Sequence, residues 1–417
     1  MLALVVKSLW NRRVTAALAV IAIAVSVALI LSVDKVRRDA MASFTQTISG
    51  VDLVVGARSG AVQLLLYSVF RIGNATNNIS WESVEDIRRM RGVGWTVPLS
   101  LGDSHRGYRV LGTTSEYFER YRHGDGRALE LASGAVFDDV FDAVIGSEVA
   151  RELGYAVGRE IVVAHGTGSV AVTEHADQPF RVSGVLAPTG TPVDRTVHVS
   201  LEGIEAMHVD WASGMQRPGE PTSPQEIRQM TLETEAVTAL LVGLESRGAV
   251  FRVQRAINEY RAEPLLAILP GVALQQLWDL VGVAENALLV VSAFVVLAGL
   301  INLVSVLLAG LNERRREMAI LRATGARPAH VFALLVAESG VLAALGVALG
   351  LALHLLAVAI GGLWIEDRFG IAVPLGLPGA RDWAVLGGIL LAGLGAGALP
   401  AWRAYRLSLA DGMAQRL

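Results

Sequence analysis

The chain has 417 residues, of which 53% are hydrophobic and only 18% charged, with a formal net charge of -3. That balance calls for membrane-embedded segments and speaks against a general nucleic-acid binder. There is no cysteine, which excludes disulfides, thiolate metal sites and cysteine nucleophiles.

Residues 14–33 form the first membrane-length apolar run and carry no charge. Lys7, Arg12 and Arg13 precede it, as in a signal peptide. The run is longer than a usual signal core, and no small-residue cleavage site stands before Asp34 and Lys35, so a retained anchor is expected. Helical continuations are expected at 35–44 and, before the second apolar run, at 273–285. Paired, they would form a stalk.

Residues 34–283 read as a mixed α/β domain, long enough to bury its own core. Strands are expected at 51–56, 95–101, 106–112 and 236–244, and amphipathic helices at 80–90, with Ser80 as N-cap, and at 247–260. Residues 61–70 read as an apolar core helix; exposure of Leu64, Leu65 and Leu66 would instead signal a groove for a lipid-like substrate. The middle, about 121–232, has short β-like runs at 142–145, 160–165, 180–186 and 196–200 and reads as an inserted, mostly β module. Within it, 207–231 reads as a mobile loop rich in glycine and proline. His105, His123, His165, His175, His198 and His208 also fall in this domain, without HExxH or comparable spacing. Scattered surface histidines are expected rather than a metal site, with His198, His208 and Asp210 as the set to check.

Three more spans follow at about 287–311, 331–360 and 383–399, so residues 1–33 hold the first transmembrane helix and 284–417 the other three. The fold class is therefore membrane α-helical, with four transmembrane helices and a large α/β extracytoplasmic domain inserted between helices 1 and 2. Arg314, Arg315, Arg316, Arg322 and Arg327 lie between the second and third spans, and Arg403, Arg406 and Arg416 after the fourth. This bias places both termini in the cytoplasm and 34–283 outside, although Lys35, Arg37 and Arg38 run against it locally.

Several intramembrane residues need partners. Asn302 is costly in lipid unless hydrogen-bonded to a neighbouring helix or across a dimer contact. Glu338 must face protein or water, and a structural partner among the loop arginines is expected. His354 is expected neutral and bonded to a carbonyl. Gly346 and Gly350 make a GxxxG step, and with Gly387, Gly388, Gly393, Gly395 and Gly397 they predict close packing of spans three and four. Glu313 and Glu317 stand four apart on one helical face around the arginines, and Gly325 can end a short helix. Neither lysine, Lys7 or Lys35, follows a Walker A glycine loop, so any ATPase must reside on another polypeptide.

The run Ile301-Asn302-Leu303-Val304-Ser305-Val306, then Glu313 through Ala326, Glu338, Leu345-Gly346 to Gly350, and finally Pro400-Ala401-Trp402-Arg403-Ala404-Tyr405-Arg406, resembles the FtsX/MacB-type permease module of ABC transporters. Leu409 departs from it, standing where a proline is common. The resemblance implies a type VII permease in the bacterial inner membrane, paired as a homodimer with two ATP-binding subunits. It makes Glu313, Arg314, Arg315, Arg316, Glu317, Arg322 and Gly325 an ATPase-coupling loop. It leaves ATP and magnesium on the partner, with no cofactor, metal or catalytic residue in this chain. Membrane lipid and a periplasmic adaptor or substrate protein are further implied partners. ATP-driven motion would serve export or extraction of a periplasmic or outer-leaflet substrate. The alternatives are an FtsX-like regulator that activates a cell-wall hydrolase without moving cargo, and a membrane hydrolase using the outer histidines. The size of the outer domain favours export.

Overall fold

The computed structural model describes residues 13–47, 49–124, 126–166, 173–174, 178–212, 215–216, 222–313, 320, 323, 325–369, 375–376 and 378–406. The chain divides after Asp39 and before Gly282, giving a helical unit and an α/β unit of Ala40–Val281 with Arg368–Ala372.

The α/β unit is organised by one sheet. Its longer strands are β1 (Leu53–Ala57), β2 (Val93–His105), β3 (Tyr108–Thr113), β4 (Leu131–Gly134), β5 (Asp142–Ile145), β6 (Phe180–Leu186), β7 (Thr196–Ser200), β8 (Ala239–Leu244) and β9 (Leu265–Ile268), with two-residue strands at Glu160–Ile161, Ala164–His165 and Thr173–Glu174 paired to it. The longer strands lie in the order β9-β1-β8-β2-β3-β7-β5-β6-β4. Every residue of β1 is buried, as in a strand covered on both faces. On one face, Val84 and Ile87 of helix Trp81–Arg89 and Val253 and Ile257 of helix Val250–Asn258 pack against Leu53, Val55 and Val242. On the other, Leu64 and Leu65 of helix Ala61–Ser68 join Tyr117 and Phe118 over Val54, Leu99 and Leu241. A third cluster sets Val149 and Ile204, from helices Ser147–Leu153 and Leu201–His208, against Ile145, Val182 and Val197.

The segment 121–232 therefore shares the sheet and contributes helices that pack on it. Its β7 runs parallel to β3, from Thr196 opposite Arg109 to Ser200 opposite Thr113. The strand expected at 106–112 starts only at Tyr108, because Arg106 and Gly107, with φ of 48° and 90°, make the two-residue turn between His105 and Tyr108. The strand expected at 236–244 breaks at Thr238: Ala236–Val237 pairs with Ile79–Ser80, and β8 begins at Ala239. Ser80 caps its helix by accepting the Ser83 N–H at 3.3 Å. The Glu263 carboxylate reinforces this cap by accepting the Ser80 N–H at 3.1 Å and the Ser83 hydroxyl at 2.6 Å. Leu64 and Leu65 are 0% and 1% exposed and Leu66 is half-buried, so 61–70 is core and not a groove. Of 207–231, residues 207–212, 215–216 and 222–231 are described; they include the end of helix Leu201–His208, the pair Trp211–Ala212 and Met215–Gln216, and Pro224–Ile227 with its Ser223/Glu226 capping box.

In the helical unit, four helices are long and apolar enough to cross a membrane: Arg13–Asp39, Pro270–Ala309, Pro328–Gly362 and Ala380–Arg403. The first and second belong to longer helices, Arg13–Thr47 and Pro270–Glu313, which continue beyond the apolar runs as expected.

Candidate functional site

The helical unit has two differently built ends. At one, Leu308 near the end of the second span, Val331 and Leu335 at the start of the third and Ala401 near the end of the fourth form a single apolar cluster. Ala401 is 0% exposed. It gathers three helix ends beside the 313–327 connection, so two stretches of the permease signature, separated in sequence, share one end of the bundle. Pro400 lies inside the fourth helix.

Glu313 is the last residue of helix Pro270–Glu313. Arg314, Arg315, Arg316, Glu317 and Arg322 lie outside the described residues. Gly325 has φ +100°, and a Cβ there would meet nothing within 4 Å. The position thus needs glycine for its backbone, as expected where a helical turn is stopped. Pro328 then opens the third helix, and His330 Nδ1 accepts the Arg327 N–H at 3.0 Å, the reciprocal half of a capping box.

At the other end, charge is organised into a clamp that sequence reasoning missed. Arg38 of the first helix donates to both oxygens of Asp382 at 2.9 and 3.1 Å, and lies 3.3 Å from Asp34. Asp382 also accepts the Gly379 N–H at 2.8 Å, and Arg381 lies 3.6 Å from Asp34. Asp34 and Asp382 are 9% and 8% exposed. The signal was present in the exception to the arginine bias: of the basic residues expected on the outer side, Arg37 pairs with Asp34, Arg38 with Asp34 and Asp382, and Lys35 with Asp39.

The packing residues are divided between these ends. Asn302 is half-buried, and its amide has no hydrogen-bond partner among the described residues. Glu338 is buried at 4% exposure beside the fully buried Ser339. The expected pairing of Gly346 and Gly350 with the fourth span is corrected: both face the first. A Cβ at Gly346 would lie 2.7 Å from Ile23 Cβ, and one at Gly350 2.6 Å from Val27 Cβ and 2.7 Å from the Ala24 carbonyl oxygen. The fourth span instead meets Ala343 and Ser339 through Gly393 and Gly397. The glycine step marks a close approach, and residues 336–343 already occupy the face that meets span four. His354 is likewise corrected, since its Nδ1 shares a 3.0 Å hydrogen bond with the Ser32 hydroxyl and not with a carbonyl.

In the α/β unit, His105, His123 and His198 are buried at 4%, 5% and 0% exposure, contrary to the surface positions expected. His105 Nδ1 lies 2.6 Å from the Val162 carbonyl oxygen. His198 donates Nδ1–H to Val144 at 3.1 Å and packs between Tyr117 and Phe118. Asp210 is engaged by Thr222, at 2.8 and 2.6 Å. His175 lies outside the described residues, and among those described no three His, Cys, Asp or Glu converge.

Burial, with the nearby Arg71 charge, pushes His198 down from 6.5 to about 3, against the smaller opposing effect of the Val144 carbonyl. The unfolded chain therefore takes up this proton at a higher pH than the fold does. Its contribution to stability is complete above pH 6.5 and is lost as pH falls toward about 3. Unfolding measured across that window should lose up to about 1.4 kcal/mol per pH unit through this group. A His198→Gln protein should show a correspondingly shallower slope; an unchanged slope would remove His198 as the cause.

The family model described as MacB-like periplasmic core domain matches residues 16–260, and that described as FtsX-like permease C-terminal matches residues 289–409. A protein named macrolide export ATP-binding/permease protein MacB from Nitrobacter winogradskyi is 25% identical over 425 residues, covering 96% of this chain and 58% of that protein. Its namesake from Azoarcus sp. is 25% identical over 234 residues, covering 55% of this chain and 32% of that protein. The chain thus spans little more than half the length of the first relative and a third of the second. Among solved structures, the periplasmic region of MacB from Actinobacillus actinomycetemcomitans superposes with a TM-score of 0.34 and 11% identity, covering 55% of this chain and 94% of that one. The extracellular domain of the noncanonic ABC-type transporter YknZ from Gram-positive bacteria gives 0.29 and 14%, with 52% and 99% covered. One matched family model covers more than half of the chain and the other covers its last three spans, so this membrane protein belongs to the FtsX/MacB-type permease family of ABC transporters.

Proposed function

We propose that the chain is the membrane subunit of an ABC transporter in the bacterial inner membrane, coupling ATP hydrolysis on a separate subunit to motion of a periplasmic α/β unit. The motion serves export or extraction of a periplasmic or outer-leaflet substrate. The observation that carries this reading is the family match across residues 289–409, with the charged 313–327 connection placed where three helix ends gather. Glu313, Arg314, Arg315, Arg316, Glu317 and Arg322 form the ATPase-docking surface, and Gly325 reverses the chain after it. Both termini are cytoplasmic, by the arginine bias. Two copies of the chain pair in the membrane, and the half-buried Asn302 amide, lacking a partner among the described residues, is one group such a contact would satisfy. Gly346 and Gly350 hold span one to span three within each copy, and buried Glu338 sits on the third span.

The test is to tag the chain in its host, extract it in mild detergent under ATP-trapping conditions and identify stoichiometric partners by mass spectrometry. An ATP-binding protein recovered one-to-one, and lost from a Glu313→Lys/Arg316→Glu double variant, is the expected result. Absence of any ATPase would end the transporter reading. Recovery of the ATPase with a cell-wall hydrolase as the sole periplasmic companion would replace export with regulation.

A further inference from the structure

Helix Ala61–Ser68 is followed by an uncommon backbone turn. Arg71 has φ +61°, a left-handed conformation uncommon for a residue with a side chain, and Gly73 follows at +81°. Such strain is retained where the surrounding structure uses the position it creates. The turn fixes the Arg71 guanidinium at the edge of the core. Its Nη1 donates to the Ser68 carbonyl, its Nη2 lies 3.5 Å from the Tyr117 hydroxyl, and its Nε–H is buried without an acceptor among the described residues.

A second arginine arrives from the sheet. Arg109 on β3 donates through Nη1 to Asn74 Oδ1 at 2.9 Å and through Nη2 to the Gly73 carbonyl at 2.7 Å. Arg71 and Arg109 line the same pocket, together with Tyr67, Asn74 and Leu101. Neither guanidinium has a carboxylate partner among the described residues; the carbonyls and the amide orient them but neutralise nothing. Burial and the neighbouring Arg71 charge both push the Arg109 pKa down, the mark of two like charges confined together.

Two positive charges held side by side without a counter-charge call for an anion. A phosphomonoester carries about -1.5 to -2 at neutral pH and three acceptor oxygens, which matches two guanidiniums, whereas a single carboxylate is satisfied by one planar fork. The pocket between them is small and opens to solvent, so a group held there lies at its mouth and not in an enclosed cavity. We propose that Arg71 and Arg109 form a binding site for a phosphate group, either free inorganic phosphate or a phosphomonoester at the end of a larger molecule. The site stands on the α/β unit alone and does not depend on the transport reading.

The experiment is equilibrium dialysis of the full chain in non-ionic detergent and Tris-chloride against radiolabelled inorganic phosphate, followed by competition with glycerol 3-phosphate. One saturable phosphate per chain is expected, weakened about tenfold or more in Arg109→Gln. Arg109 is half-exposed on its strand, so this variant is expected to fold, and its thermal unfolding is recorded alongside. Arg71→Lys, which keeps the charge but removes the fork, should weaken binding as well. Competition by glycerol 3-phosphate would show that the site accepts an esterified group such as a headgroup; failure to compete would restrict it to the free ion. No saturable phosphate binding, or binding to a folded Arg109→Gln protein as tight as to wild type, overturns the proposal.

Discussion

Gly350→Leu should leave a protein that is poorly assembled in its membrane unit, with an unfolding midpoint in detergent lowered by roughly 5–10 °C or more. Even the Cβ of alanine would come within 2.7 Å of the Ala24 carbonyl oxygen and 2.6 Å of Val27 Cβ. One obstacle is backbone and the other is the branch point of a short side chain, so neither can rotate away. Helices one and three must then separate, which weakens contacts along that seam, including the His354–Ser32 hydrogen bond. Gly395→Ala is the control, since a Cβ there meets nothing within 4 Å and should change the midpoint little. If Gly350→Leu unfolded where wild type does, spans one and three could not be in contact at this level.

Asp194→Ala should destabilise the α/β unit by about 3 kcal/mol, read as a shift of its denaturant midpoint at constant m-value. This carboxylate is 5% exposed. It accepts the Thr189 N–H at 2.9 and 3.0 Å, the Thr189 hydroxyl at 2.9 Å and the Gly190 N–H at 2.7 Å. Truncation strands two backbone donors and a hydroxyl in a loop that joins β6 to β7. Asp194→Asn keeps one acceptor oxygen and should lose about half as much. Equal losses in the two variants would mean that side-chain volume, and not hydrogen bonding, is what position 194 supplies.

The spans were legible because apolar composition over a membrane-length window is a strong signal. Their true helical lengths were visible only as expectations, since the turns beyond Val33 are polar and those before Ala287 interrupt their apolar residues with Gln275, Gln276, Asp279 and Glu285. Within the α/β unit, β5, β6 and β7 were found by local pattern. The parallel seam of β7 on β3 was not, because pairing Thr196 with Arg109 is a long-range choice that neither strand's sequence encodes alone. Close helix approach could be read from Gly346 and Gly350, but a small-residue step names no partner. Which helix fills it is decided by the faces left over after Ala343 and Ser339 meet Gly393 and Gly397. The histidines misled for a related reason: their spacing excluded a metal motif but held no information about burial. A ring such as His198, with one N–H satisfied by Val144, is accommodated as an aromatic core residue.

The sheet order also constrains how the molecule is made. The fully buried β1 lies between β8 and β9, whose residues appear in the chain some 180 to 215 positions later. During synthesis, β1 therefore waits with both edges bare until residue 244 has emerged and with one edge bare until residue 268, shortly before the second apolar run begins. The middle strands β5, β6 and β7, with shorter separations, can pair while it waits. Completion of the α/β unit is thus tied in time to insertion of the second span. A ribosome pausing within residues 240–270 would hold the chain at the stage where a strand buried throughout in the finished fold still has an open edge, the stage at which periplasmic chaperones and proteases would find it.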